Sequence, residues 1–277
     1  MNNKFLSVLF FLLISVLPGQ IFGQASGSKV PMKEWKGIKT FSWQGLDWIA
    51  QPLWGTAHPK HQFWYDPTMV SVDKSGNMVL VSRDNEKMLK VDGKSVKRRW
   101  ATGYCRSVQE FKYGTFEWEA IVPAGTNLWP AVWLSSDFSW PPEIDCMEGW
   151  SNNHTDYSKR LLYKNIHPTV HWTENGRHVS ETKNNIPRSW IKDGNGFTSY
   201  KVVWTPEYVD IFYDGHLVKR FQDKKMLAHL NQENVKMHPV MTMNLQSGFD
   251  NGDYNTYVRL KQPFVIKSFK YTPLPIE

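Results

Sequence analysis

Only two cysteines, Cys105 and Cys146, occur in 277 residues, so no disulfide framework holds this chain together. They remain able to pair with each other. The other reading is two free, buried thiols acting as small hydrophobes, since both lie in strand-like runs. Long apolar runs are also missing. The only one, Phe5 to Leu17, is shorter than the roughly 20 residues a membrane span needs, so no span is expected. Helical signal is confined to Lys224–Leu230, enough for one or two turns. Internal repeats, low-complexity tracts and interdomain linkers are absent, which leaves one domain. No nucleic-acid motif appears, and the basic residues are scattered apart from Lys97-Arg98-Arg99. Nucleic acid is therefore not an expected partner.

What is present starts with a leader. Lys4 supplies a positive n-region, Phe5 to Leu17 the apolar core, and Pro18-Gly19 a break before a small residue at Gly23. Residues 1–23 read as a signal peptide and 24–277 as the mature domain, exported to the periplasm or the medium. An apolar share of 41% excludes a disordered chain. The 33 basic residues outnumber the 26 acidic ones, a net +7 that becomes +6 without Lys4. That surplus favours an anionic partner, weakly. With 14 Trp, 11 Tyr and 15 Phe, some rings are expected to serve as contact surface as well as core.

Short alternating runs dominate the rest. Met69–Val72 and Met78–Val81 flank a turn-forming stretch, Asp73 to Asn77. Further strands are expected at Phe116–Val122, Tyr200–Trp204, Val209–Tyr213, His216–Phe221, Val240–Leu245 and Phe264–Tyr271. Asp214-Gly215 suits a two-residue hairpin, because both positions tolerate positive φ. Many short strands joined by turns give an all-β fold, a sandwich or a barrel.

The segment Trp140-Pro141-Pro142-Glu143-Ile144-Asp145-Cys146-Met147-Glu148-Gly149 carries three carboxylates within six residues of an otherwise apolar strand. Side chains alternate across a strand, so Glu143 and Asp145 share a face. Glu148 has the wrong parity, and one β-bulge within Cys146–Met147 restores it. Ile144 and Cys146 then face the core. Crowded carboxylates repel, so at least one pKa is expected to rise, which separates an acid from a nucleophile at one pH. Two strand rungs span about 6–7 Å, near the roughly 5–5.5 Å between the two carboxyls of retaining glycoside hydrolysis. A solvated acidic strand or a calcium site stays open on these residues alone.

The motif Glu143-Ile144-Asp145-x-x-Glu148 resembles the bulged signature of glycoside hydrolase family 16. Tyr113-Gly114-Thr115-Phe116-Glu117, Trp129-Pro130-Ala131-Val132-Trp133-Leu134 and Thr198 to Pro206 with Val209 to Leu217 resemble its neighbouring strands. The likeness extends from Trp64 to Tyr271. It implies a β-jelly-roll sandwich whose concave cleft cuts β-linked polysaccharide endo-fashion. It also implies Glu143 as nucleophile, Glu148 as general acid/base and Asp145 as the hydrogen-bonding partner of the nucleophile. Two positions depart from the family: Gly45-Leu46-Asp47-Trp48 replaces an acidic D-E-F, and Glu119 replaces an arginine.

The resemblance further implies substrate contacts from Trp64, Trp133 and His171. Trp133 would floor the cleft, Trp64 would stack a sugar upstream, and His171 would reach the sugar past the cleavage point, as in agarases and porphyranases. Asn244 and Gln246 share a strand face and offer amides to hydroxyls. No cofactor is required and no metal is expected. A structural calcium occurs in the family, but no ligand set here demands it. The +6 charge and the His171 strand point to an algal galactan: agarose, porphyran or a carrageenan-type chain, with Arg83, Arg99, Arg106 and Arg177 as candidates to hold sulfate. A laminarinase-type glucanase is the alternative, and a non-catalytic glycan-binding module of the same fold the alternative of another class. A monomer is expected.

Overall fold

A computed structural model describes residues 38–59, 61–123, 128–149, 166–192, 196–245 and 263–275. The leader expected at residues 1–23 lies outside them. Seventeen strands and one helix follow in chain order: β1 (Thr40–Trp43), β2 (Leu46–Ile49), β3 (Phe63–Tyr65), β4 (Val70–Val72), β5 (Met78–Leu80), β6 (Ser82–Val91), β7 (Lys94–Ser107), β8 (Gly114–Ile121), β9 (Leu128–Ser135), β10 (Glu143–Gly149), β11 (Ile166–Glu174), β12 (Arg177–Thr182), β13 (Thr198–Trp204), β14 (Val209–Tyr213), β15 (His216–Phe221), α1 (Lys224–Leu230), β16 (His238–Leu245) and β17 (Phe264–Thr272).

They form two sheets. The first runs β1-β2-β7-β16-β9-β10-β11-β12, with β3 and β6 also pairing on β7; the second runs β15-β14-β13-β8-β17-β5-β4. Every pairing is antiparallel except β3 with β7. The two-residue periodicity explains the core between the sheets. In β8, Phe116, Trp118 and Ala120 are buried while Thr115, Glu117 and Glu119 between them are not. In β10, Ile144 packs inward with Val132 and Leu134 of β9 and Val170 of β11. This is the expected all-β sandwich.

Turn chemistry sets the hairpins. Asp214 and Gly215 join β14 to β15 with φ of 47° and 83°, and Asn175 and Gly176 join β11 to β12 with φ of 52° and 72°. Positive φ at both central residues matches the right-handed twist of the flanking strands. Helix α1 begins where the Asp223 side chain accepts from the backbone N–H groups of Lys225 and Met226. Cys105 and Cys146 are buried and free. They sit on β7 and β10 with β16 and β9 between them. Three strand spacings of about 4.8 Å each put them beyond the roughly 7 Å Cα limit for a disulfide.

Candidate active site

Strand β10 places the carboxylates. Glu143 lies opposite Ser135 of β9 and His171 of β11, and Asp145 opposite Trp133 and Thr169. Glu148 lies opposite Ala131 and His167. Cys146 takes a rung on neither neighbour, and the register shifts around it. Cys146 and Met147 are both buried. This is a bulge at the position the parity argument requires, and it returns Glu148 to the face of Glu143 and Asp145. The carbonyl of Cys146, left outside the ladder, accepts a hydrogen bond from the buried Tyr213 hydroxyl of the second sheet at 2.9 Å. The core side thus satisfies the polar group that the bulge exposes.

The expected spacing needs one correction. The partners of Glu143 and Glu148 on β9, Ser135 and Ala131, are four residues apart, about 13 Å of strand. A separation of about 6–7 Å applies to Glu143 and Asp145 and again to Asp145 and Glu148, whose β9 partners are each two residues apart, because the bulge adds length without removing a rung. Glu148 is near enough to help raise the pKa of Glu143.

Each carboxylate has a fixed partner. Trp129 Nε1 donates to Glu148 Oε1 at 2.8 Å. Trp140 Nε1 donates to Glu143 Oε2 at 3.1 Å. His171 Nε2 lies 3.0 Å from Asp145 Oδ2 and 3.7 Å from Glu143 Oε1. On its other side, His171 Nδ1 lies 2.8 Å from Nε2 of His178 on β12. Burial pushes Asp145 well above the usual carboxylate range, with Glu148 adding to the rise. Glu143 is pushed up by burial and then by Asp145 and Glu148, while His171 and the Trp140 bond pull it back. The row therefore resists carrying three charges at once, and its partners favour the charged form of Glu143.

The other sequence candidates divide. Trp133 is half-buried on the same face as Asp145, where a cleft floor is expected. Asn244 lies opposite Trp129 and is buried, its side-chain oxygen without a hydrogen-bond partner. Gln246 lies outside the described residues. His171 grips Asp145, so its first contact is the carboxylate row, where a sugar contact was expected. Trp64 does not reach the row. It is 4% exposed, clusters with Met69 and Ala101, and its Nε1 donates to the Asn85 carbonyl at 2.8 Å. Its flanking residues, Phe63 and Tyr65, take the opposite face of β3, and Tyr65 packs on Tyr104 at 5.0 Å. Three consecutive aromatics give no polar residue to mark the inner side, so the pattern alone could not assign the face. Trp129, Trp140, Tyr65 and His178 are site residues that the sequence reading missed. Trp140 was legible in principle as an indole three residues before Glu143.

Two groups among the described residues bring His and carboxylate atoms within 4.8 Å: Glu143, Asp145 and His171, and Glu110, Asp137 and His238. Neither is the all-oxygen set that calcium takes. In the second, Arg106 holds both Asp137 oxygens at 2.5 and 2.9 Å.

Several known proteins are similar to this chain. Endo-1,3-1,4-beta-glycanase ExsH of Rhizobium meliloti (strain 1021) is 34% identical over 111 residues, 39% of this chain and 21% of that protein. The Beta-glucanase of Rhodothermus marinus is 30% identical over 129 residues, 44% of this chain and 42% of that protein. The matches thus span about a fifth and about two fifths of these relatives' lengths. The catalytic domain of an endo-1,3-beta-glucanase (laminarinase) from Thermotoga petrophila superposes with a TM-score of 0.60 at 18% identity. That match covers 86% of this chain and 95% of the other, and carries the jelly-roll fold. The model for Glycosyl hydrolases family 16 matches residues 64–261, a stretch that runs from β3 past β16 and contains the whole carboxylate row. The chain belongs to glycosyl hydrolase family 16.

Proposed function

We propose that this chain is an endo-acting, retaining hydrolase of a β-linked glucan, of the β-1,3 or mixed-linkage type. One observation carries the reading: the bulge in β10 brings Glu143, Asp145 and Glu148 to one face, each held by a named donor or ring nitrogen. A non-catalytic binding module has no use for that arrangement. In the proposed reaction Glu148, protonated, gives its proton to the glycosidic oxygen as Glu143 attacks the anomeric carbon and the glycosidic bond breaks. A glycosyl ester on Glu143 results. Glu148, now charged, takes a proton from water, whose oxygen displaces Glu143 and restores both carboxyls. Trp129 orients Glu148, and Trp140 and His171 hold the negative charge on Glu143.

The substrate reading changes from the one that charge suggested. Of the relatives described above, one is named a beta-glucanase and the other an endo-1,3-1,4-beta-glycanase, which supports a β-1,3 or mixed-linkage glucan. The arginines considered for sulfate give little support to a galactan. Arg106 lies in register with Val240 and Trp133 on the carboxylate face, but it is 1% exposed and locked to Asp137. Arg99 sits 3.7 Å from Asp84, and Arg177 is at the tip of the β11–β12 hairpin opposite Glu174. The test is reducing-end release from laminarin, mixed-linkage glucan, agarose, porphyran and carrageenan, with Glu143→Gln as the control. Cleavage of laminarin or mixed-linkage glucan is expected. Cleavage of galactans alone would reinstate the galactanase, and no release from any of them would leave a binding module.

A further inference from the structure

The reaction just described uses Glu143 and Glu148 with Trp129, Trp140 and His171 and leaves His178 without a task, although His178 begins a hydrogen-bonded chain that ends on Asp145. We infer that His178 is a positioning residue: donating from Nε2 to Nδ1 of His171, it fixes the His171 tautomer whose Nε2–H faces Asp145 and Glu143. The inference deepens the glycosidase reading and rests on it.

The geometry leaves two arrangements. The two imidazole nitrogens are 2.8 Å apart, so one carries the hydrogen and the other accepts it. If His171 Nδ1 accepts, the hydrogen of a neutral His171 sits on Nε2. It then points at Asp145 Oδ2, 3.0 Å away, with Glu143 Oε1 at 3.7 Å. In the reverse arrangement the Nε2 of a neutral His171 turns a lone pair toward both carboxyl oxygens, and only a proton on a carboxyl could satisfy it. A donor at that nitrogen favours charged carboxylate, which the attacking Glu143 needs. The hydrogen bond made by one ring nitrogen of a histidine sets which hydrogen the other carries.

The fold holds the pair in place. His171 and His178 are diagonal neighbours on one face of the β11–β12 hairpin, where Thr173 pairs with His178 and His171 with Ser180. The Trp140 ring packs on His178 at 4.9 Å, while its Nε1 bonds Glu143. One indole therefore braces both the outer histidine and the nucleophile. His178 disfavours its own charged form, through burial and through His171, so it serves as a neutral donor. The titratable groups facing this chain are Glu143, Asp145 and Glu148 on β10 and His167 on β11. Tyr65 and Tyr104 lie across the sheet, with phenols pushed up by burial that stay neutral.

The test compares His178→Ala with His178→Gln in the full chain. The amide N–H of Gln can donate to His171 Nδ1, and Ala has no donor. His178→Ala is expected to lower kcat about tenfold, less than the roughly 10²–10⁴-fold that a direct general acid or base contributes, because His178 acts only through His171. KM should stay within about twofold, as for a group that acts only in the transition state. The acidic limb of kcat/KM should move to higher pH, because the carboxylates lose a donor that favours their charged form. His178→Gln should restore both the profile and most of kcat. Nitrogen-15 spectra of the His171 ring in the free protein give a readout without substrate. They should show hydrogen on Nε2 in the parent and in His178→Gln, and mixed tautomers in His178→Ala. Hydrogen on Nδ1 of His171 in the parent would overturn the inference, even if no glycan were cleaved. So would a His178→Ala variant that raises KM and leaves the acidic limb in place, the mark of a simple sugar contact. Should His178→Ala fail to fold, the parent spectrum decides.

Discussion

The hydrogen bond from Tyr213 to the carbonyl of Cys146 ties the catalytic bulge to the opposite sheet, and Tyr213→Phe removes that bond alone. The Tyr213 ring keeps its edge contact with Tyr200, at 5.1 Å between centroids. The carbonyl of Cys146 has no ladder rung to return to, and both residues are fully buried. A buried acceptor stripped of its partner costs about 1–3 kcal/mol, and no cavity larger than a hydroxyl is left to add to it. Taking about 2 kcal/mol, and about 2–4 °C per kcal/mol for a domain of this size, Tm should fall by about 4–8 °C. The same loss should loosen the bulge and let Glu148 drift from its alignment. A misplacement near 1 Å can cost up to about a hundredfold in rate, so kcat should fall by about tenfold or more while KM changes little. Thermal melts and laminarin kinetics on the purified variant check both. A Tm within about 1 °C of the parent would refute the reasoning, because an unmet buried acceptor cannot be that cheap. A clear loss of Tm with unchanged kcat would keep the energetic half and discard the link to Glu148.

Three further outcomes are expected. Glu143→Gln should abolish turnover yet raise Tm near pH 7. Its folded pKa is raised above the unfolded value, so the parent loses stability as pH rises from the ordinary carboxylate range through the folded pKa. Melts of parent and variant should therefore converge near pH 4 and part at neutral pH, and equal Tm at both would contradict the buried-charge account. NMR of the first product anomer should show the β form from a β-linked substrate, since a glycosyl ester on Glu143 gives two inversions; an initial α-anomer would mean direct attack by water. Titration of thiols without reductant should find none reactive in the native protein and two after denaturation, because Cys105 and Cys146 are buried, free and separated by two intervening strands.

Legibility followed local chemistry. Helix α1, the Asp214-Gly215 hairpin and the strands with clean alternation were all readable, because one face of each is core and the two-residue period shows it. The bulge was readable because three carboxylates on one strand cannot share a face without it. The long β6–β7 hairpin was not, since β6 carries exposed Arg83, Asp84, Asn85, Glu86 and Lys87 in a row and shows no buried side to a periodicity argument. Its Asp92-Gly93 turn, with φ of 48° and 76°, was the signal available, as was Asn175-Gly176 before β12. Partners such as Trp129 and His178 depend on which strands become neighbours. That order, β16-β9-β10-β11-β12, is set by long-range packing that no local pattern records.

Strand β12 ends the first sheet, and its outer side pairs with no strand among the described residues. A terminal strand opens more readily than the ones inside it, because only one ladder and one neighbour's packing hold it. In this protein that strand carries His178, while the three carboxylates sit on β10, two strands inward. Warming should therefore detach the periphery of the active centre well before the sandwich itself gives way. The proposed glycan cleavage would have a working temperature limit set by the fraying of one hairpin, several degrees below the melting of the whole. Tightening that rim, without touching the core, is then the shortest route to a catalyst that works at higher temperature.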